Sequence, residues 1–218
     1  MPFSFLIRDN IVWTLAFFAL VILAVFTQLT KTTASSSLPL PLRAVIKAAP
    51  ALFLAGLSWY LDHSLVALAF LLCSLGDILL DLPEERAPHA FELGAISFAA
   101  ALICFSIASY LKPLDGHILL PLSLTNIVIA VFVLRWVLPK LKGAQRILEV
   151  SYFAILIVSN VIASTSLLPI FLGSSLWLMS DLSIGLESRV SESPANSLDT
   201  LGIYDLGLYF LAIGFLNP

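Results

Sequence analysis

Long apolar runs broken by short polar punctuation set the rhythm of this chain. Eight runs of roughly membrane length appear, at 11–30, 43–61, 64–82, 90–111, 116–139, 145–167, 168–187 and 199–217. A helix that crosses a bilayer needs about 20 predominantly apolar residues. The breaks carry turn chemistry: "SSSLPLPL", "LPEERAPH", "KPLDG", "LPKLKG" and "ESRVSESPANS". The sixth and seventh runs are divided by "STSLLP" alone. No run shows the period-2 alternation of a barrel strand, and lipid leaves helices as the other way to satisfy the backbone. The pattern predicts an all-α, polytopic integral membrane protein with about eight transmembrane helices in one bundle. Residues 1–218 are read as a single domain, because no loop has room for a soluble one and no sequence repeat is visible. The run after Arg8 is longer than a signal-peptide core, so it is expected to stay as the first helix.

Composition agrees. Apolar residues make up 60% of the chain and charged residues 11%, with mean hydropathy +1.02, whereas soluble domains carry about 25% charged residues. The net charge of −3 is small and says nothing about nucleic acid, but no basic run of the kind that tracks phosphates is present, so no nucleic-acid partner is expected. Cys73 and Cys104 lie inside apolar runs and read as small buried hydrophobes rather than a disulfide. His63, His89 and His117 stand near helix ends without metal-ligand spacing, so no metal site is expected. No Walker, dinucleotide or G-x-S-x-G motif is present.

Lys and Arg near the helix ends orient the spans. With eight spans, one side holds Arg8 and Lys112. The other holds Lys31, Arg43, Lys47, Arg86, Arg135, Lys140, Lys142, Arg146 and Arg189. The second side is therefore expected to be cytoplasmic and both termini non-cytoplasmic, in the inner membrane if the cell is bacterial.

That topology brings the buried polar groups to one depth. Asp77 falls in the cytoplasmic third of the third helix, in "FLLCSLGDILLDLP", where Ser74, Asp77 and Asp81 share a face. Asp181 falls at the same depth in the seventh, in "GSSLWLMSDLSIGLES", with Ser174 and Trp177 on its face. Lys47 stands early in the second helix, Tyr152 early in the sixth and Tyr204 early in the eighth. Their convergence predicts one polar pocket toward the cytoplasmic leaflet. A charge at membrane depth costs a few kcal/mol or more, so Asp77 and Asp181 read as functional. Asp81, Asp205 and Glu92 lie closer to helix ends and read as solvated interfacial acids. Lys47 taken alone would snorkel to the headgroups, and Tyr152, Tyr204 and Trp177 alone would be ordinary packing aromatics.

Two carboxyls close together in a low-dielectric site do not both ionise cheaply. One protonated and one charged is the division of labour for general acid and general base work. It suits reactions through an oxocarbenium ion, among them glycoside and vinyl ether hydrolysis.

These segments resemble those of the YhhN-like membrane proteins, which include the lysoplasmalogenases. "SLGDILL" looks like the family's S-x-x-G-D-x-x-L signature, and "GSSLWLMSD" like its segment ending in S-D. "LRAVIKAAP" is similar to its Lys-and-Pro segment, and "FELGAISF" to its F-x-x-G-x-x-x-F segment. The resemblance covers roughly residues 43–217. It implies hydrolysis of the vinyl ether bond of a lysoplasmalogen to a fatty aldehyde and a glycerophospho head group. Asp77 and Asp181 would be the catalytic pair, without cofactor. Ser74, Ser180 and Tyr204 would orient them, and Lys47 would face the head group of the lysophospholipid. Tyr152 and Asn160 would line the pocket. Leu102 and Leu208 stand where family members often carry His and Gln. A proton-coupled transporter and a non-catalytic lipid-binding relative are the other readings of the same acids.

Overall fold

The computed structural model describes residues 11–32, 39–83, 87–112, 119–137, 139, 143–190 and 197–216. Of the residues weighed above, Arg8, Arg86, His117, Lys140 and Lys142 lie outside them. Eight helices follow: α1 (Ile11–Thr32), α2 (Leu40–Tyr60), α3 (Ser64–Asp81), α4 (Ala90–Leu111), α5 (Leu120–Val137), α6 (Gly143–Ala163), α7 (Leu168–Val190) and α8 (Ser197–Leu216). No strand occurs among the described residues. Helices α1, α2, α3, α4 and α6 are long and apolar enough to cross a membrane. The other three are apolar over Leu120–Trp136, Leu168–Ile184 and Thr200–Leu216, close to the lower limit of a crossing helix.

Local chemistry explains the boundaries. Pro39 caps α2 with extended backbone and Pro41 sits in its first turn, where no intrahelical N–H is needed. Gly143 opens α6 at φ 58°, a left-handed conformation that favours glycine. The sixth run reads as helix to 167, but α6 stops at Ala163. Ser164 Oγ donates to the Val161 carbonyl at 2.7 Å and Thr165 Oγ1 to that of Ile162 at 2.8 Å. These hydroxyls satisfy the last carbonyls and turn the chain into α7.

Six helices form a closed ring in the order α2, α3, α4, α6, α7, α8, with α8 packed back on α2. Helix α1 lies outside against α2 and α8, and α5 outside against α6 and α7. The outward faces are apolar: Val12, Ile22, Leu52, Val128 and Phe132 are exposed. The interior holds Asp77, Asn160, Asp205 and many of the serines. This polarity is the inverse of a soluble bundle and suits a lipid surround. Trp59 and Tyr60 at the end of α2 and Tyr110 at the end of α4 are exposed together at one rim, as interfacial aromatics are.

Glycines set the closest approaches. A Cβ on Gly76 of α3 would stand 2.7 Å from the Phe98 ring of α4, and one on Gly94 of α4 would stand 3.0 Å from Leu80. Between α7 and α8, a Cβ on Gly173 would meet the Gly207 carbonyl at 2.7 Å, and one on Gly214 would run into Ile170. Lipid tails are as apolar as Leu, so helices in a membrane associate by such close packing rather than by hydrophobic burial. Changing Gly76 to Val should therefore lower the thermal midpoint of the detergent-solubilised protein, by the equivalent of about 1–3 kcal/mol of overpacking. Gly56→Ala is the control: Gly56 has nothing within 4 Å of a new Cβ, and the change there should be neutral or stabilise by up to about 1 kcal/mol.

Candidate active site

Asp77 sits one turn before the end of α3 and is 3% exposed. Gly76 beside it admits the Phe98 ring, so α4 presses close and seals that flank. The Tyr204 hydroxyl of α8 donates to Asp77 Oδ2 at 3.2 Å. Lys47 Nζ of α2 lies 3.8 Å from Asp77 Oδ1. Three helices thus bring a cation and a phenol to one carboxyl.

Asp181 of α7 is held differently. The Tyr152 hydroxyl of α6 donates to its Oδ2 at 2.5 Å. Trp177 Nε1, one turn earlier on α7, donates to the same oxygen at 3.1 Å. No cation pairs with Asp181 among the described residues. Two neutral donors on one oxygen suit a carboxylate, since hydrogen bonds to a charged group are the stronger ones.

Rings join the two acids. Trp177 and Tyr204 stand edge to face with centroids 5.6 Å apart. Phe98 stands edge to face on both, at 5.9 and 5.8 Å. Each acid is therefore bonded to one member of a single aromatic cluster. Cys73, one turn before Asp77, is fully buried. Both cysteines are free thiols.

The fold brings together Lys47, Asp77, Tyr152, Asp181 and Tyr204. The other sequence-chosen residues sit elsewhere. Ser74 is buried one turn before Asp77, 3% exposed. Ser180 turns to α8, where its hydroxyl donates to the Thr200 carbonyl at 3.0 Å. Asn160 lies eight residues beyond Tyr152 on α6, about 12 Å along the axis. Its Oδ1 accepts from Ser123 Oγ at 3.2 Å and Asn126 Nδ2 at 3.3 Å, and its Nδ2 donates to Ser175 Oγ at 3.2 Å. That network ties α5 to α6 and α7, away from the acids. A small cavity lies next to it, beyond Trp177, lined by Leu102, Ser109, Ser159 and Ser174 among others, with room for about one water.

Two interfacial assignments are corrected. Asp81 is not solvated: Arg43 Nε donates to its Oδ2 at 2.8 Å. Asp205 is not interfacial either, being 1% exposed inside the ring. For Asp81 the neighbouring helix α2 supplies the partner that the sequence position conceals. Glu92 is exposed at the head of α4, beside His89, as expected. Lys47 reaches inward to Asp77 rather than resting as a lone snorkelling side chain. Trp177, read from sequence as packing, is a direct partner of Asp181. The signal for it was the four-residue spacing on one helix face, which puts an indole N–H beside a carboxylate. Among the described residues no His, Cys, Asp and Glu cluster could hold a metal.

No curated protein and no solved structure matches the chain. The sequence model of the YhhN family matches it over residues 42–215, from the start of α2 to the last turn of α8, and the chain belongs to that family.

Proposed function

We propose that this membrane protein is a hydrolase of the lysoplasmalogenase type, cleaving the vinyl ether bond of a single-chain lysophospholipid. The observation that carries the reading is a pair of carboxyls, Asp77 buried and Asp181 partly buried, each held by a tyrosine, on either side of one aromatic cluster. Membership of the YhhN family is consistent with a hydrolase.

The chemistry follows from two acids in unlike surroundings. One, as a carboxylic acid, protonates the alkene carbon remote from oxygen. The double-bond electrons form that C–H bond, and positive charge develops on the ether carbon and its oxygen. The other, as a carboxylate, takes a proton from the water that adds to this oxocarbenium ion. The hemiacetal then breaks its C–O bond to release a fatty aldehyde and the glycerol hydroxyl of the head group. Water is the co-reactant and no electrons are transferred. Tyr204 and Tyr152 fix which oxygen of each carboxyl is engaged, and Lys47 offers a cation for the phosphate. The head group enters at the end of the bundle that holds Lys47 and Arg43, which the Lys and Arg count assigns to the cytoplasm, with both termini opposite. The alkenyl chain lies along the bilayer.

Aldehyde release from a lysoplasmalogen by the purified protein is the test. Asp77→Asn and Asp181→Asn should each lower kcat by about a hundredfold or more, the scale of general acid–base catalysis, with elution and helical content unchanged. A wild-type protein silent on vinyl ether lipids overturns the reading. Trp177→Phe keeps a ring against Phe98 and Tyr204 and removes one donor to Asp181. It should lower kcat about tenfold, equal to about 1.4 kcal/mol, while KM stays within about twofold. A change confined to KM would show that the indole serves binding instead.

A further inference from the structure

Two ion pairs cross the α2–α3 interface in one register. Arg43 Nε donates to Asp81 Oδ2 at 2.8 Å, and Lys47 Nζ stands 3.8 Å from Asp77 Oδ1. Arg43 and Lys47 are four residues apart on α2, as Asp77 and Asp81 are on α3. The pairs are therefore rungs one turn apart between antiparallel helices. Ala51 and Leu54 continue the stripe of Arg43 and Lys47 and are buried, so this face of α2 looks into the ring. The Arg43 rung is the outer one, nearer the start of α2 and the end of α3.

The rungs are more than ties between two helices. In each, the acid is nearly sealed and the cation is not. Side-chain exposure is 4% for Asp81 and 5% for Asp77, but 18% for Arg43 and for Lys47. Asp81 engages only Nε of Arg43. The two Nη groups, the planar fork that matches a phosphate, meet no acceptor among the described residues. The Lys47 contact is too long for a hydrogen bond, so it leaves the ammonium's donors open.

Spacing ties the outer rung to the chemistry. Asp81 lies about 6 Å beyond Asp77 along the axis of α3. In a vinyl ether lysophospholipid, six bonds separate the ether carbon from phosphorus, about 7 Å when extended. A phosphate held at the outer rung therefore sets the ether carbon level with Asp77. A phosphate held by Lys47 alone would push that carbon roughly one turn too deep.

We infer that Arg43 is the phosphate ligand of the substrate, with Lys47 as a second charge one turn deeper and Asp81 as the positioning residue that aims the guanidinium. The site takes a single-chain lipid bearing a phosphodiester and discriminates against the neutral glycerol ether of the same chain. The placement against Asp77 rests on the hydrolase reading, whereas the phosphate preference is measurable without it.

Alkyl ethers, which lack the reactive double bond, provide the test. The measurement is equilibrium retention of radiolabelled hexadecyl-glycerophosphocholine and of hexadecylglycerol by the purified full chain in a maltoside detergent. The wild type should bind the phosphate-bearing ether at least about tenfold tighter than the neutral one. Equal affinity overturns the proposal without any variant. Arg43→Gln should cut the preference to about threefold or less and leave the affinity for the neutral ether unchanged. A preference retained in Arg43→Gln overturns the proposal. Should that variant fail to elute as wild type does, because Asp81 has lost its cation, Arg43→Gln combined with Asp81→Asn replaces it with the same expectation. Glycerophosphocholine at the concentration of the ether should leave the ether bound. Displacement would assign the cations to a soluble phosphate ester and overturn the proposal. Turnover separates this inference from the hydrolase reading. If no aldehyde is released from a vinyl ether lipid while the preference depends on Arg43, the phosphate site stands and the vinyl ether chemistry falls. If aldehyde is released and no preference exists, the chemistry stands and this proposal falls. Where both hold, Arg43→Gln should raise KM about tenfold with kcat within about twofold.

Discussion

A carboxyl buried among lipid-facing helices has to be met by donors before the bundle can close around it, and this requirement organises the interior. Lipid supplies no hydrogen bonds, so each donor must come from the helices themselves. Asp77 draws on α2 and α8, and Asp181 on α6 and on its own helix α7. Such bonds form when the helices approach closely. The glycines of α3, α4, α7 and α8 permit that approach. The family motif letters gain a physical meaning here. The Gly before Asp77 accommodates Phe98, and the Gly of the fourth-helix segment accommodates Leu80. Neither touches the chemistry, yet both set how deeply the acids are enclosed.

The two acids are alike in type and unlike in company. Asp77 has a cation and a phenol, while Asp181 has a phenol and an indole. The Trp177, Tyr204 and Phe98 rings hold these donors at mutual right angles, the edge-to-face arrangement that aromatic pairs favour. A shift of either tyrosine would be felt across the cluster, which couples the geometry of the two carboxyls. The amide network at Asn160 serves another purpose. It secures the peripheral α5 with polar contacts that lipid cannot compete for.

Much of this was legible in the residue order. The eight helices lie within a few residues of the apolar runs, because the length and hydropathy a bilayer demands are properties of the chain itself. Asp77 and Asp181 stood out because a charge inside an apolar run carries a high cost whatever its surroundings. Lys47, Tyr152 and Tyr204 followed from alternating the direction of successive helices. Asp205, Asp81, Ser180 and Asn160 were not legible. Distance from a helix end suggested solvent for the first two, but depth alone does not say which neighbour covers a side chain. Asp81 meets Arg43, and Asp205 is enclosed within the ring. Ser180 stands beside Asp181 in sequence but points to another helix, since consecutive residues differ by about 100° around the axis.

The sequence by itself determined the class of protein, the number and limits of its helices, and which two acids would be expensive to bury. These depend on composition and on spacing along one helix, and both are local. The tertiary structure alone decided the order of helices around the ring and the partner of each polar atom. It decided too that a tryptophan would be a donor and that Asp205 would be enclosed within the ring. Those are contacts between segments far apart in sequence. They are selected by the fit of glycines, rings and hydroxyls across helix interfaces, and no periodicity within one segment encodes that fit.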